Sequence, residues 1–227
     1  MRKFLSIFMI SALLACCTAC GKKDVSGEIS EKEPVFEDII GNDEEEVTDV
    51  SLMIGLAEGD VYENEFLGVR FTLPEGWTFY TKEQINEINN ITADMVEDDI
   101  AEVLENADVI TDMYASDQYG NTVNINFEKL SGVAAVSIDE ETYLEIAIEQ
   151  LDTAFEQMGY DDVNVEMTKL NFLGEERAAL NVECKAGDYV LYEKLIAIKV
   201  GGYISNITVA TSFEDATDTV LTYFEGL

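Results

Sequence analysis

The sequence predicts an α+β domain, in which amphipathic helices pack on a mainly antiparallel sheet. Several stretches alternate apolar and polar residues with a period of two, which is typical of half-buried strands. Two long stretches repeat apolar residues at three- and four-residue spacing, as amphipathic helices do. The turns between neighbouring strands are too short for the crossovers that parallel strands need. The predicted order is hairpin, helix, hairpin, helix, meander, helix.

The first elements follow from local patterns near Val61. Residues 61–66 and 69–73 alternate around a Leu-Gly pair and predict a β-hairpin. A Pro-Glu-Gly turn then leads to Trp77. Apolar residues at helical spacing predict one long helix over residues 82–106.

The remaining elements are mostly strands. Residues 109–116 and 122–130 flank a five-residue connection and predict a second hairpin. A second helix is predicted over residues 139–158, with Gly159 ending it. The last third predicts four strands and a closing helix, over residues 163–170, 177–185, 189–200, 203–211 and 213–224.

The N-terminus predicts export. Arg2 and Lys3 precede a short apolar run, which ends in a cluster of cysteines. This segment resembles the lipobox of bacterial lipoproteins, most of all those of Gram-positive bacteria, in which a cysteine after small residues is acylated. Cys20 is followed by Gly-Lys-Lys and is the preferred lipidation site, whereas Cys16 has the expected leucine three residues upstream and is the alternative.

The chain therefore divides into three predicted parts: a signal peptide over residues 1–20, an acidic flexible tether over 21–60 and a single α+β domain over 61–227. The tether is rich in Asp and Glu and poor in aromatic residues, so it cannot bury enough surface to fold. The implied location is the extracytoplasmic side of the cell membrane, with contact to the membrane through the lipid alone.

The charge of the chain excludes one class of partner. The sequence holds 47 acidic and 13 basic residues, for a net charge of −34, and residues 61–227 hold 34 acids against 8 bases. Nucleic acids are bound through Lys and Arg, so we expect no nucleic-acid partner. Cys184 is the single cysteine of the predicted domain and lies in an alternating apolar stretch, which predicts a small buried side chain.

The sequence offers few residues for catalysis. Histidine is absent, which removes the commonest general base and most zinc sites. No Gly-rich phosphate loop or Gly-x-Ser-x-Gly elbow is present. The acid groups at 97–99, 139–141 and 161–162 lack the ligand spacing of a calcium loop, and the second lies at a helix start. Trp77 and Tyr80 could line a groove, although such residues more often fill a core.

The domain also resembles the PsbP-like fold. The resemblance lies in the stretch from Phe66 to Trp77, a hairpin that runs into a Pro-x-x-Trp corner, and in the strand from Gly201 to Ala210 before a terminal helix. Members of that family mostly act as non-catalytic binding or assembly factors. The resemblance therefore implies a binding or accessory domain, without cofactor or metal, for an extracytoplasmic protein or small ligand. Two alternatives stay open: an extracellular hydrolase that uses carboxylates alone, and a calcium-binding domain.

Overall fold

A computed structural model describes residues 53–92, 95, 100, 103–104, 106–130 and 133–227. The predicted lipidation cysteines, Cys16 and Cys20, lie outside the described residues. The strands are β1 Leu56–Glu58, β2 Val61–Asn64, β3 Val69–Thr72, β4 Trp77–Phe79, β5 Val109–Asp117, β6 Thr122–Lys129, β7 Asp161–Phe172, β8 Glu175–Ala186, β9 Tyr189–Val200, β10 Tyr203–Ser212 and β11 Phe224–Gly226. The helices are α1 Lys82–Ile88, α2 Val133–Ser137, α3 Glu140–Gln157 and α4 Thr217–Leu221.

The strands form two antiparallel sheets. A four-stranded sheet has the order β1-β2-β3-β11, and a seven-stranded sheet has the order β4-β5-β6-β10-β9-β8-β7. The prediction of a mainly antiparallel α+β domain is confirmed, with more sheet and less helix than the sequence predicted. No described helix is both long enough and apolar enough to span a bilayer.

The two sheets pack face to face around one apolar cluster. Tyr62 and Phe71 from the small sheet meet Ile125, Ile207 and other apolar side chains from the centre of the large sheet. Strand β1 precedes Val61 in the sequence, and the side chain of Met53, which precedes β1, is fully buried. The small sheet thus covers one face of the large sheet.

Helix α3 covers part of the opposite face. Its buried side chains pack on β8 and β9, where Leu180 and Leu195 are fully buried. Asp139 caps its first turn by accepting a hydrogen bond from the Thr142 backbone N–H at 2.8 Å, as a helix N-cap does. Cys184 is buried in the same cluster, as predicted.

The predicted helix over residues 82–106 is wrong as a single element. Helix α1 ends at Ile88, and Asn90 adopts a positive φ of 60°. The reason is a tertiary contact: the Asn89 side chain donates to the Thr111 carbonyl at 2.7 Å and accepts from the Thr111 N–H at 2.8 Å. These hydrogen bonds hold the C-terminal end of α1 against β5.

The predicted closing helix over residues 213–224 is also shorter than expected. Phe213 has a φ of 68°, and α4 spans Thr217–Leu221 only. The chain then forms β11, in which Phe224 pairs with Phe71 of β3. The last residues thus complete the small sheet, because pairing with β3 places the ring of Phe224 in the apolar cluster between the sheets.

A buried carboxylate joins the two sheets. The pairing of β5 with β6 shifts between Thr111 and Met113, so Asp112 is the extra residue of a β-bulge. Its carboxylate accepts hydrogen bonds from the Tyr62 hydroxyl at 2.5 Å, from the Asn64 amide at 2.7 Å and from the backbone N–H of Gly55 at 2.9 Å. Burial raises the pKa of Asp112, and these hydrogen bonds oppose the rise.

Candidate functional site

The central strands of the large sheet carry polar side chains on the face away from the small sheet. Along β6, Val123, Ile125 and Phe127 point into the apolar cluster regions, and the residues between them are polar. The same alternation continues on β10, where Ile207 and Val209 face the small sheet. Successive side chains of a strand point to opposite faces, so the polar residues share the other face.

Strand pairing assembles these residues into one surface, which we call the polar strip. Asn126 lies opposite both Thr111 and Asn206, and Asn124 lies opposite both Tyr114 and Thr208. The complete polar strip consists of Thr111 and Tyr114 on β5, Thr122, Asn124, Asn126 and Glu128 on β6, Asn206 and Thr208 on β10, and Glu193 on β9.

Every side chain of the polar strip is buried. Helix α1 contacts β5, and α3 contacts β7, β8 and β9. Side chains of α3 pack beside Leu195 and Ala197, which lie on the same face of the large sheet as the polar strip. Buried polar side chains normally cost free energy unless they form hydrogen bonds, so a continuous group of nine is unusual for a core.

At one end of the polar strip, the side-chain donors form hydrogen bonds with other groups of the protein. The Tyr143 hydroxyl from α3 donates to the Glu128 carboxylate at 2.7 Å, and the Asn206 amide donates to the Tyr143 oxygen at 2.8 Å. The Asn126 side-chain amide donates to Oδ1 of the Asn124 side chain at 2.7 Å. Tyr143 therefore connects helix α3 to two strands of the sheet.

Acceptor atoms of the polar strip remain open. Asn126 Oδ1, Asn206 Oδ1 and Glu193 Oε1 have no hydrogen-bond partner within the part of the chain that the structure describes. Asn126 and Asn206 are each 3% exposed, and Glu193 is 2% exposed. Unpartnered buried polar atoms cost about 1–3 kcal/mol each, so each of these oxygens calls for a donor, which water or a ligand would supply.

Burial raises the pKa of both carboxyl groups of the polar strip, Glu193 and Glu128. The pKa of Glu193 rises to about 8. Burial raises the pKa of Glu128 to about 7, where the charge of Asp108 adds to the rise and the hydrogen bond from Tyr143 opposes it. Both side chains therefore take up protons near neutral pH, whereas ordinary glutamates are ionised there.

The other candidate residues from the sequence pack against apolar side chains or aromatic rings. Trp77 is half-buried against the apolar cluster between the sheets, and the Tyr80 ring packs on the Tyr114 ring with centroids 4.4 Å apart. Burial raises the pKa of the Cys184 thiol to about 12. Among the residues that the structure describes, no group of three or more acids or cysteines is arranged to hold a metal. The acid group at 97–99 lies outside the described residues.

Sequence reasoning did not single out the polar strip. The alternation was visible in Thr122–Lys129, but a polar strand face is by default assigned to solvent. The residue types were a usable signal of burial. A solvated strand face usually carries Lys and Glu, whereas this face carries neutral residues at Asn124, Asn126, Asn206 and Thr208. The burial itself could be seen only in the tertiary structure.

Comparison with known proteins gives no family assignment. No family model and no curated protein sequence match the chain. The crystal structure of LpqN, described as involved in cell envelope biogenesis of Mycobacterium tuberculosis, is similar over 68% of this chain and 76% of that chain, with 12% sequence identity and a TM-score of 0.37. A likeness of that size establishes neither a shared family nor a shared activity.

Proposed function

We propose that this protein is an extracytoplasmic lipoprotein whose domain binds a small polar molecule on the polar strip, without catalysing a reaction. The observation that supports binding most strongly is the set of open, buried acceptor atoms on Asn126, Asn206 and Glu193. The lipid anchor and the PsbP-like assignment rest on the sequence motifs.

The spacing of the two buried acids disfavours the hydrolase alternative. Glu128 lies opposite Ile204 and Glu193 lies opposite Ala210, six residues further along β10. Six residues of a strand span roughly 20 Å, whereas the two carboxyl groups of a glycosidase lie roughly 5–9.5 Å apart. The side chains of Glu128 and Glu193 are too short to close that gap, so they do not form an acid–base pair.

Ligand binding predicts that the protein keeps a bound molecule through mild purification. The full chain, purified from the membranes of its own host in detergent, is expected to show an added mass in native mass spectrometry that disappears on denaturation. Asn126→Leu should lower the occupied fraction at least tenfold because it removes a buried polar contact at the centre of the strip.

The matched control is Asn171→Leu, which changes an exposed asparagine on the edge strand β7. It should leave the occupied fraction unchanged. Both variants are compared by thermal melting to confirm that they are folded. The binding proposal fails if the wild-type chain carries no added mass and no compound of a polar-metabolite library raises its melting temperature.

Lipid attachment gives a separate prediction. Cells that express the full chain and are fed an alkyne fatty acid should label the protein, and Cys20→Ala should remove the label and release the protein from the membrane fraction. Cys17→Ala is the matched control and should keep the label. Loss of label in Cys16→Ala with retention in Cys20→Ala would place the anchor at Cys16, and an unlabelled wild-type chain would refute the anchor.

A further inference from the structure

Phe213 is an exposed aromatic residue at one end of the large sheet. It directly follows β10, and its side chain is 67% exposed. Its φ of 68° is a left-handed conformation that is costly for a bulky residue and that glycine adopts freely. Leu173, another bulky residue with a positive φ, packs against the apolar cluster between the sheets. Phe213 gains little burial in return, so packing of the core does not explain its ring.

The neighbours of Phe213 hold its ring in a fixed position. Its backbone N–H donates to the Val190 carbonyl at 2.8 Å, and its ring packs edge-to-face on the Tyr189 ring with centroids 5.2 Å apart. The Tyr189 and Ser212 hydroxyls share a hydrogen bond of 2.6 Å. The Ser212 N–H donates to the Asn121 side chain at 2.9 Å, which ties this segment to the turn between β5 and β6. A ring fixed in this way loses little conformational freedom when a partner binds, as in the anchor residues of interfaces.

Exposed acids surround this ring. Asp188 precedes Tyr189 in the turn between β8 and β9, and Glu214 and Asp215 follow Phe213. No ion pair joins these three acids to a Lys or Arg of the described residues. The three acids and the two aromatic residues form what we call the aromatic–acidic surface. Aromatic rings attract a guanidinium or ammonium group, and carboxylates neutralise its charge.

We propose that the aromatic–acidic surface binds a basic segment of another protein, with an Arg or Lys side chain stacked on the ring of Phe213 and paired with a neighbouring carboxylate. Charge favours this occupant. A second copy of the chain is disfavoured, because residues 61–227 hold 34 acids against 8 bases and two such surfaces repel each other. The acidic segment over residues 21–60 is disfavoured for the same reason. Costly backbone conformations are kept where they serve a function, which accounts for a phenylalanine at this position.

Site-specific photo-crosslinking in intact host cells tests the proposal on the full chain. Phe213→p-benzoylphenylalanine keeps an aromatic ring at this position and should crosslink to one other protein, at a segment that carries Arg or Lys. Glu214→Gln in that background removes a charge beside the ring and should lower the crosslinked fraction at least threefold. Glu145→Gln, which changes an exposed acid of α3, is the matched control and should leave that fraction unchanged. Leu56→p-benzoylphenylalanine, at an exposed position on the edge of the small sheet, should not crosslink to the same protein.

Thermal melting gives a second readout. Phe213→Gly removes the ring and relieves the backbone, so it should melt no lower than the wild type. A lower melting temperature would show that the ring serves the fold, and this would overturn the inference. The inference is also overturned if no crosslink exceeds that of the Leu56 variant, if the crosslinked segment is a second copy or residues 21–60, or if Glu214→Gln leaves the crosslinked fraction unchanged. None of these results bears on ligand binding at the polar strip, which is a separate surface.

Discussion

Asp112→Ala is expected to lower the free energy of unfolding by about 3–5 kcal/mol, the range for removing one partner of a buried charged network. The substitution removes the acceptor of three groups, namely the Tyr62 hydroxyl, the Asn64 amide and the Gly55 N–H. Asn64 keeps its second hydrogen bond, to the Met53 carbonyl at 2.7 Å. The Tyr62 hydroxyl and the Gly55 N–H would lose the contacts that Asp112 supplies.

The same substitution should loosen the start of the domain. Gly55 has no room for a side chain, since a Cβ there would lie 2.5 Å from the Tyr62 ring. The segment from Met53 to Gly55 is therefore held by close packing and by Asp112. Hydrogen exchange at the Gly55 amide is expected to rise strongly in Asp112→Ala, because local opening no longer breaks a hydrogen bond to a carboxylate.

Chemical denaturation of the full chain measures the first effect. Tyr62→Phe removes one of the donors and keeps the ring, so it should cost about 1–2 kcal/mol. Asp60→Ala changes an exposed aspartate near the same strand and should stay within about 0.5 kcal/mol of the wild type. An Asp112→Ala protein as stable as the Asp60→Ala control would show that the carboxylate does not hold the two sheets together.

The ligand-free protein is expected to lose stability as the pH rises from about 5 to about 8.5. Burial raises the pKa of Glu193 from its ordinary value of 4.5 to about 8 in the folded state. Between those values the folded chain binds more protons than the unfolded chain, so unfolding becomes more favourable as the pH rises. Each pH unit inside this window changes the free energy of unfolding by up to about 1.4 kcal/mol for one group.

Glu193→Gln should remove the part of this pH dependence that arises from Glu193, and nearly all of the slope between pH 7 and pH 8, because the amide does not ionise. Above pH 8 the variant is expected to be more stable than the wild type, and near pH 5 the two should be similar. A smaller slope should remain up to about pH 7, since burial also raises the pKa of Glu128. Asp112, whose pKa is raised as well, contributes in the same direction.

Urea denaturation at half-unit pH steps measures the slope, with Glu166→Gln as the control for the loss of one exposed acid. The control should follow the wild-type curve with a small uniform shift from the lower net charge. Parallel curves for the wild type and Glu193→Gln would mean that Glu193 does not ionise within the folded state over this range, contrary to the buried, unpartnered carboxyl group described above.

Local sequence patterns predicted most of the strands and the longest helix. The hairpins of β2 with β3 and of β5 with β6, and the meander from β7 to β10, follow from period-two alternation and short turns. Helix α3 follows from its apolar spacing and from Asp139 at its start. These predictions succeed because alternation, helical spacing and capping depend on residues that are near one another in the sequence.

The failures arise where a distant contact overrides a local pattern. The apolar spacing after Ile88 continues in helical register, but the Asn89 side chain bonds to the backbone of Thr111 and Asn90 leaves the helical region. The C-terminal segment has helical spacing too, but pairing with β3 turns its end into a strand. Neither partner is visible from the segment alone.

The sequence by itself determined the α+β class and the antiparallel pairing, and it gave rise to the expectations of a lipid anchor and of no nucleic-acid partner, because each depends on composition or on neighbouring residues. Only the tertiary structure decided which polar residues are buried. The register of β6, β10 and β9 brings Asn126, Asn206 and Glu193 onto one face of the large sheet. Burial is a property of the assembled sheet, since the same alternating strand would be an ordinary solvated surface if nothing covered it.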